Sequence, residues 1–185
     1  MDADFDSRLD EALADPEGAD FAGLRAAYAS SAHYLPFGRD QGGLEALHRL
    51  IESGAWEPAR EMVEALLEGD PLSVSLRFAY AHVLEGLDEE WEASSQRSFA
   101  DGLLRSILRT GDGRTPATAI QVLDMREMYL VLETMGLRVT RSQLSQIDEE
   151  WIDLVEVRGP EGDREMYFNV TLPQTWLAQV DEQGD

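Results

Sequence analysis

Cysteine is absent from this 185-residue chain, and so is lysine. Without cysteine there are no disulfides, thiol nucleophiles, zinc fingers or cysteine-held iron–sulfur clusters. Without lysine there is no Schiff-base nitrogen and no P-loop lysine. All 15 basic residues are arginine, the side chain better suited to planar, bidentate pairing. Long apolar runs are missing as well, and none approaches the roughly 18 residues a membrane helix needs. The opening MDADFDSRLDEALADPEGAD has neither a basic n-region nor an apolar core and does not read as a secretory signal. The expectation is a cytoplasmic protein without a membrane partner. Positive charge is scarce: 37 acids against 15 arginines give a net charge of −22. That charge repels nucleic acid and anionic membranes, and it speeds encounter with a basic protein. A solvated acidic surface without any partner would read the same way.

A hydrophobic content of 43% marks a folded chain, and the length suits one domain. From Ser95 to Arg141 seven arginines face five acids, so this is a non-acidic island while the rest of the chain carries −24. The stretch SILRTGDGRTPATA, Ser106 to Ala119, lies inside that island.

The apolar spacing predicts a first helix over about 1–15, with Phe5, Leu9 and Leu13 on one face, and a second from Phe21 to about Ala32, capped by Asp20. Residues 33–43 read as a loop. Three amphipathic helices follow, at about 43–53, 56–68 and 72–87. Within them Gly54, Trp56, Ala59, Val63, Leu66 and Pro71 resemble the second half of a tetratricopeptide repeat. The next copy is interrupted, with Asp88 where a turn glycine belongs. A long helix over about 90–109 takes Trp91, Phe99, Leu103 and Ile107 as its apolar face. Another runs from Pro116 to about Met135 and ends at Gly136. Beyond it the period changes to two. Val155 and Val157, then Met166, Phe168 and Val170, alternate with polar residues around RGPEGD, which is a β-hairpin. The segment at 137–146 is either a third strand or a short capped helix, and PQTWLAQV is a final helical turn docked by Trp176.

These readings add up to an α+β fold, mostly α. A tetratricopeptide-like antiparallel helical stack is followed by a small C-terminal antiparallel β-hairpin or three-stranded meander. Residues 1–19 form an acidic N-terminal helix or tail. Residues 20–180 form a single domain, helical over 20–135 and β-rich over 137–172, and 181–185 form a disordered tail.

Candidate chemistry concentrates at RTGDGRT. As a turn, Gly111 takes the left-handed conformation past the end of a helix, and Asp112 and Gly113 reverse the chain. Thr115 caps the next helix with Pro116 in its first position. As a site, the same glycines offer backbone N–H groups at a helix start, and Arg109 and Arg114 add a clamp for a carboxylate or phosphate. Its members would be Arg109, Thr110, Gly111, Asp112, Gly113, Arg114 and Thr115. The turn reading is preferred, because Asp112 opposes an anion and no strand or P-loop pattern precedes the loop. His33, His48 and His82 have no metal-ligand spacing, so neither a metal nor a cofactor is expected. Ser30 and Ser31 beside His33 make no triad signature, and no catalytic residue is assigned. The four tryptophans read as core, and DEEW, 148–151, as a charged cap before a strand.

Three segments carry a family likeness. They are Asp20-Phe21, Leu24-Arg25, Ala27-Tyr28, Ser31, Tyr34 and Pro36 near the start, then Ser106-Ile107, Thr110 to Gly113 and Thr118-Ala119, then Tyr167 to Val170. In their order they resemble the bacterial domain of unknown function 4919 family, over about residues 20–172. The resemblance brings no activity. It implies that any site lies at the TGDG turn, with Arg25, Tyr28 and Tyr34 as accessory residues. Two functions of different kinds follow. The first is a non-enzymatic, acidic interaction module, an immunity or adaptor protein bound to a basic protein. The alternative is an anionic-ligand-binding or enzymatic protein with its site at the TGDG turn.

Overall fold

The computed structural model describes residues 2–37 and 41–183. Among these are eight α-helices, one 3-10 turn and a four-stranded mixed sheet, so the fold is α+β and mostly α. The chain divides into two compact units, Met1–Leu104 and Arg105–Asp185.

The first unit holds α1 (Asp2–Ala14), α2 (Phe21–Ala29), α3 (Gln41–Glu52), α4 (Trp56–Gly69), α5 (Val74–Gly86) and most of α6 (Glu90–Leu108). Helix α1 is anchored by Phe5 and Ala12, both 2% exposed. The Asp20 carboxylate accepts from the Gly23 N–H and starts α2, as its position implied. The α2 face of Phe21, Leu24, Arg25 and Tyr28 is buried. In α3–α5 the apolar positions converge on one cluster of Leu47, Ala59, Val63, Leu67, Leu76 and Val83. Of the loop expected over 33–43, residues 38–40 lie outside the described residues and Gln41 already belongs to α3.

Two turns in this unit share one geometry. Gly54 has φ +69 and Asp88 φ +62. At the first, Gly54 N–H donates to Ile51 O (3.0 Å) and Ala55 N–H to Leu50 O (2.9 Å). At the second, Asp88 N–H donates to Glu85 O (3.1 Å) and Glu89 N–H to Leu84 O (2.9 Å). Each turn is followed by a fully buried alanine, Ala59 and Ala93. Asp88 therefore adopts the backbone that the missing glycine would have had; aspartate is among the few residues that tolerate it.

Helix α6 departs from expectation at its start. Phe99, Leu103 and Ile107 are fully buried, but Trp91 is 79% exposed. The inward residue of that first turn is Ala93, and two helical steps turn the chain by about 200°, so Trp91 faces away.

The second unit contains the sheet. The expected hairpin is β3 (Glu150–Gly159) with β4 (Gly162–Asn169), in register Val155↔Met166. Residues 138–147 are strand β2, antiparallel to β3, which completes the meander. A fourth strand, β1 (Ile120–Gln121), pairs parallel with β4 and gives the order β1-β4-β3-β2. This strand corrects the helix expected from Pro116 to Met135. That segment is a 3-10 turn (Pro116–Thr118), then β1, then α7 (Met125–Thr134). The helix restarts because the Asp124 carboxylate accepts from Arg126 N–H (2.6 Å) and Glu127 reaches back to Leu123 N–H (2.7 Å). Asp-x-x-Glu is a helix-start signature, and Ile120, Val122 and Leu123, all buried, belong to the sheet side. The last helix, α8, runs Thr171–Gln183 and is longer than one turn; the tail expected from 181 is helical to Gln183, and residues 184–185 lie outside the described residues.

Candidate functional site

The TGDG stretch leaves α6 and enters the 3-10 turn by way of a dense hydrogen-bonded clasp. Thr110 Oγ1 donates to Ile107 O (2.7 Å) and accepts from Gln121 N–H (2.8 Å), so one hydroxyl ties the end of α6 to β1. The Asp112 carboxylate accepts from Thr118 Oγ1 (2.6 Å) and from Arg114 N–H (3.1 Å). Thr118 Oγ1 also accepts from Thr115 N–H (3.3 Å). Gly113 N–H donates to Thr118 O (2.8 Å), and Gly113 O accepts from Tyr167 N–H on β4 (2.9 Å). The Thr118 hydroxyl, and secondarily the Arg114 N–H, holds the Asp112 carboxyl below the usual carboxylate range.

Gly113 lies in the expected reversal, but Gly111 does not play the part expected of it. Gly111 is not left-handed; the left-handed residue is Gly113, at φ +67. Gly111 is required by space instead. A Cβ there would lie 2.3 Å from Thr118 O and 2.5 Å from Ala119 O, both backbone atoms that cannot move aside cheaply.

The arginines do not converge. Arg109 is exposed, and the Arg114 side chain is 84% exposed, with Nε 3.8 Å from Asp112. An anion cradle needs free N–H groups at a helix start. Here the N–H groups of Gly113, Arg114 and Thr115 all donate within the loop, and the helix that follows has a single turn. The arrangement suits joining α6, β1 and β4 better than holding a ligand.

The accessory residues lie in the first unit. Arg25, Tyr28 and Tyr34 are at most 7% exposed. Tyr28 packs on Phe5 at 5.2 Å between ring centroids and edge-on to Tyr34 at 5.6 Å. Its hydroxyl accepts from Leu35 N–H (3.4 Å), and its carbonyl accepts from Ser31 Oγ (2.8 Å). These contacts fold the exit of α2 against α1. His33 joins the same group at 5.9 Å from Phe5.

Surface features outside the TGDG turn are more distinctive. Glu57, Glu61, Glu64 and Glu68 are all exposed, along the face of α4 opposite Ala59, Val63 and Leu67. Tyr80 donates to Glu64, and burial, followed by that carboxylate, pushes its hydroxyl up to about 12. Glu89 and Glu85 are engaged by Arg60 and Arg97. Trp91 stands exposed between Glu90 and Glu92. DEEW is the tip of the β2–β3 hairpin and not a cap: Asp148 (φ +49) and Glu149 (φ +69) are its two central residues. No glycine or asparagine marks that turn in the sequence.

A family model described as a domain of unknown function, DUF4919, matches residues 17–176. The chain belongs to that family. The match does not confirm the likeness to a tetratricopeptide repeat, and no curated protein and no solved structure matches the chain. Two of the three segments that carried the likeness meet in the fold. Gly113 bonds to Tyr167, and Ile120 pairs with Phe168. No helix among the described residues is long and apolar enough to cross a membrane.

Proposed function

We propose that this chain is a non-enzymatic interaction module of the bacterial cytoplasm that binds a basic protein, as an immunity or adaptor protein does. The observation that supports the reading is the distribution of charge. Residues 1–104 hold 22 acids against 7 arginines, and residues 105–185 hold 15 against 8. Two of the first unit's arginines, Arg25 and Arg77, are buried, so its surface is more acidic than its composition. Arg77 is used internally, with its guanidinium on Pro71 O (2.9 Å) and Gln96 (2.9 Å) and 4.4 Å from the Phe99 ring centre. The exposed face of α4 presents a row of four carboxylates to a partner. Trp91 adds a large aromatic of the kind that anchors interfaces and accepts cations on its face. Association through such a surface is fast and weakens as salt screens it.

The test is affinity capture from the native host at low and high salt. Wild type is compared with a chain carrying Glu57→Gln, Glu61→Gln, Glu64→Gln and Glu68→Gln. The expected result is a basic protein retained at low salt, released at high salt and lost with the four glutamines. Recovery of no basic protein at low salt, or recovery indifferent to salt and to the substitutions, overturns the reading.

A further inference from the structure

Strand β2 (Arg138–Ile147) forms the outer edge of the sheet, and among the described residues nothing pairs with its free side. Eight of its ten residues are exposed, so both faces of the strand are open as well as its edge. Natural edges are blunted by charge, proline or bulges. Here the bulge between Val139 and Arg141 and the two arginines protect only the start. From Ser142 to Ile147 the sequence SQLSQI carries no charge and no proline, and Leu144 and Ile147 are 44% and 38% exposed. The strand begins at the end of the island that is not acidic, with Arg138 to Arg141 inside it, and Ser142 to Ile147 add no charge, so repulsion between like copies is weak along it.

The edge is also dipolar. Arg138 and Arg141 stand at one end, and Asp148, Glu149 and Glu150 at the other, with Asp148 and Glu149 fixed in left-handed backbone. Arg141 lies 3.5 Å from Glu156 of its own sheet, an exposed pair that leaves it accessible. A strand with opposite charges at its ends is complementary to itself only when the second strand runs antiparallel. A twofold axis through the middle of β2 supplies that arrangement, since it makes the same patch meet itself.

We infer that β2 is a homodimerisation edge, on which a second copy of this chain pairs antiparallel, β2 to β2, to form one continuous eight-stranded sheet. With the axis at Leu144, the two Leu144 side chains lie side by side and cover each other. The arginine end of each strand meets the acidic hairpin tip of the other. The inference is independent of the acidic surface of the first unit and stands or falls without it.

The test uses the full chain. Sedimentation equilibrium over about 1–200 µM should show a concentration-dependent species of twice the 20.7 kDa chain mass. Leu144→Lys places two cations at the axis and should weaken association at least tenfold, with circular dichroism unchanged, and melting unchanged at concentrations where the wild type is monomeric, because the position is exposed. The native absence of cysteine allows a second arm that survives if that variant misfolds. Directly opposed strand residues have Cα atoms about 4.5–5.5 Å apart, within the span of a disulfide. Leu144→Cys should therefore cross-link to dimer under mild oxidation, whereas Trp91→Cys, at a more open position of the first unit, should not. A wild type that stays monomeric at 200 µM overturns the inference. So does a dimer indifferent to Leu144→Lys, or equal cross-linking of the two cysteine variants.

Discussion

The second unit contains two aspartate-bearing turns that are built in opposite ways. At residues 110–115 each unusual requirement is met by the residue type that satisfies it: glycine where φ is positive, glycine where two carbonyls crowd, aspartate and threonine where N–H groups need acceptors. At residues 147–150 the chain places Asp148 and Glu149 where a two-residue hairpin turn favours Asn-Gly. The first turn joins α6, β1 and β4. The second ends an uncovered strand and bonds nothing that would explain its residues. A turn that obeys local rules reads as structure. A turn that breaks them, with glutamate in left-handed backbone, points outward to what the exposed strand meets.

That contrast can be broken most forcefully at Gly111. Gly111→Val drives a branched side chain into the Thr118 and Ala119 carbonyls. It should cost about 2–3 kcal/mol in chemical denaturation. The cause is crowding and not positive φ, so Gly111→Ala should be nearly as harmful. At the other turn the sign reverses. Glu149→Gly removes left-handed strain from an exposed position and should stabilise by about 1 kcal/mol, which raises the melting point by a few degrees in a chain of this size. A loss of stability there would mean the glutamate has a partner within the fold.

Smaller effects sharpen the clasp. Asp112→Ala removes the acceptor of both the Thr118 hydroxyl and the Arg114 N–H and should lower the melting point, whereas Asp112→Asn keeps an acceptor oxygen and should stay close to wild type. The same carboxylate gives a pH dependence. Its folded-state pKa is depressed, so its contribution is present above the ordinary aspartate value near 3.8 and fades as pH falls below it through the folded value. Wild type should therefore lose a small advantage over Asp112→Ala in acid titrations below about pH 4. An advantage that persists to pH 2 would contradict the assignment.

Much of this was readable from residue types, and the failures have physical causes. The alternation of Val155 and Val157 against Met166 and Phe168 places β3 and β4 on one core face, and the register Val155↔Met166 follows. The TGDG residues announce a turn, but sequence does not separate a glycine needed for φ from one needed for space, so the left-handed conformation expected at Gly111 falls on Gly113. Strand β1 is hidden in the sequence because Ile120, Val122, Leu123 and Met128 continue a plausible helical stripe, although Asp124 and Glu127 mark the true helix start. Trp91 reads as core from its apolar helical position, while the first turn of α6 turns Ala93 inward instead. The hairpin tip was illegible because aspartate and glutamate carry no turn signal of that type.

The claim at the centre of the contrast is that the N–H groups of Thr110, Gly113, Arg114 and Thr115 are satisfied within the protein and that the turn holds no anion. The most direct measurement is thermal unfolding of the wild type with and without 10 mM phosphate, beside Arg109→Ala and Arg114→Ala. A ligand held a hundredfold above its Kd would stabilise by about 2.7 kcal/mol. The account predicts midpoints indifferent to phosphate in all three chains. A rise of several degrees in the wild type that disappears in either arginine variant would contradict it and return the turn to the status of an anion site.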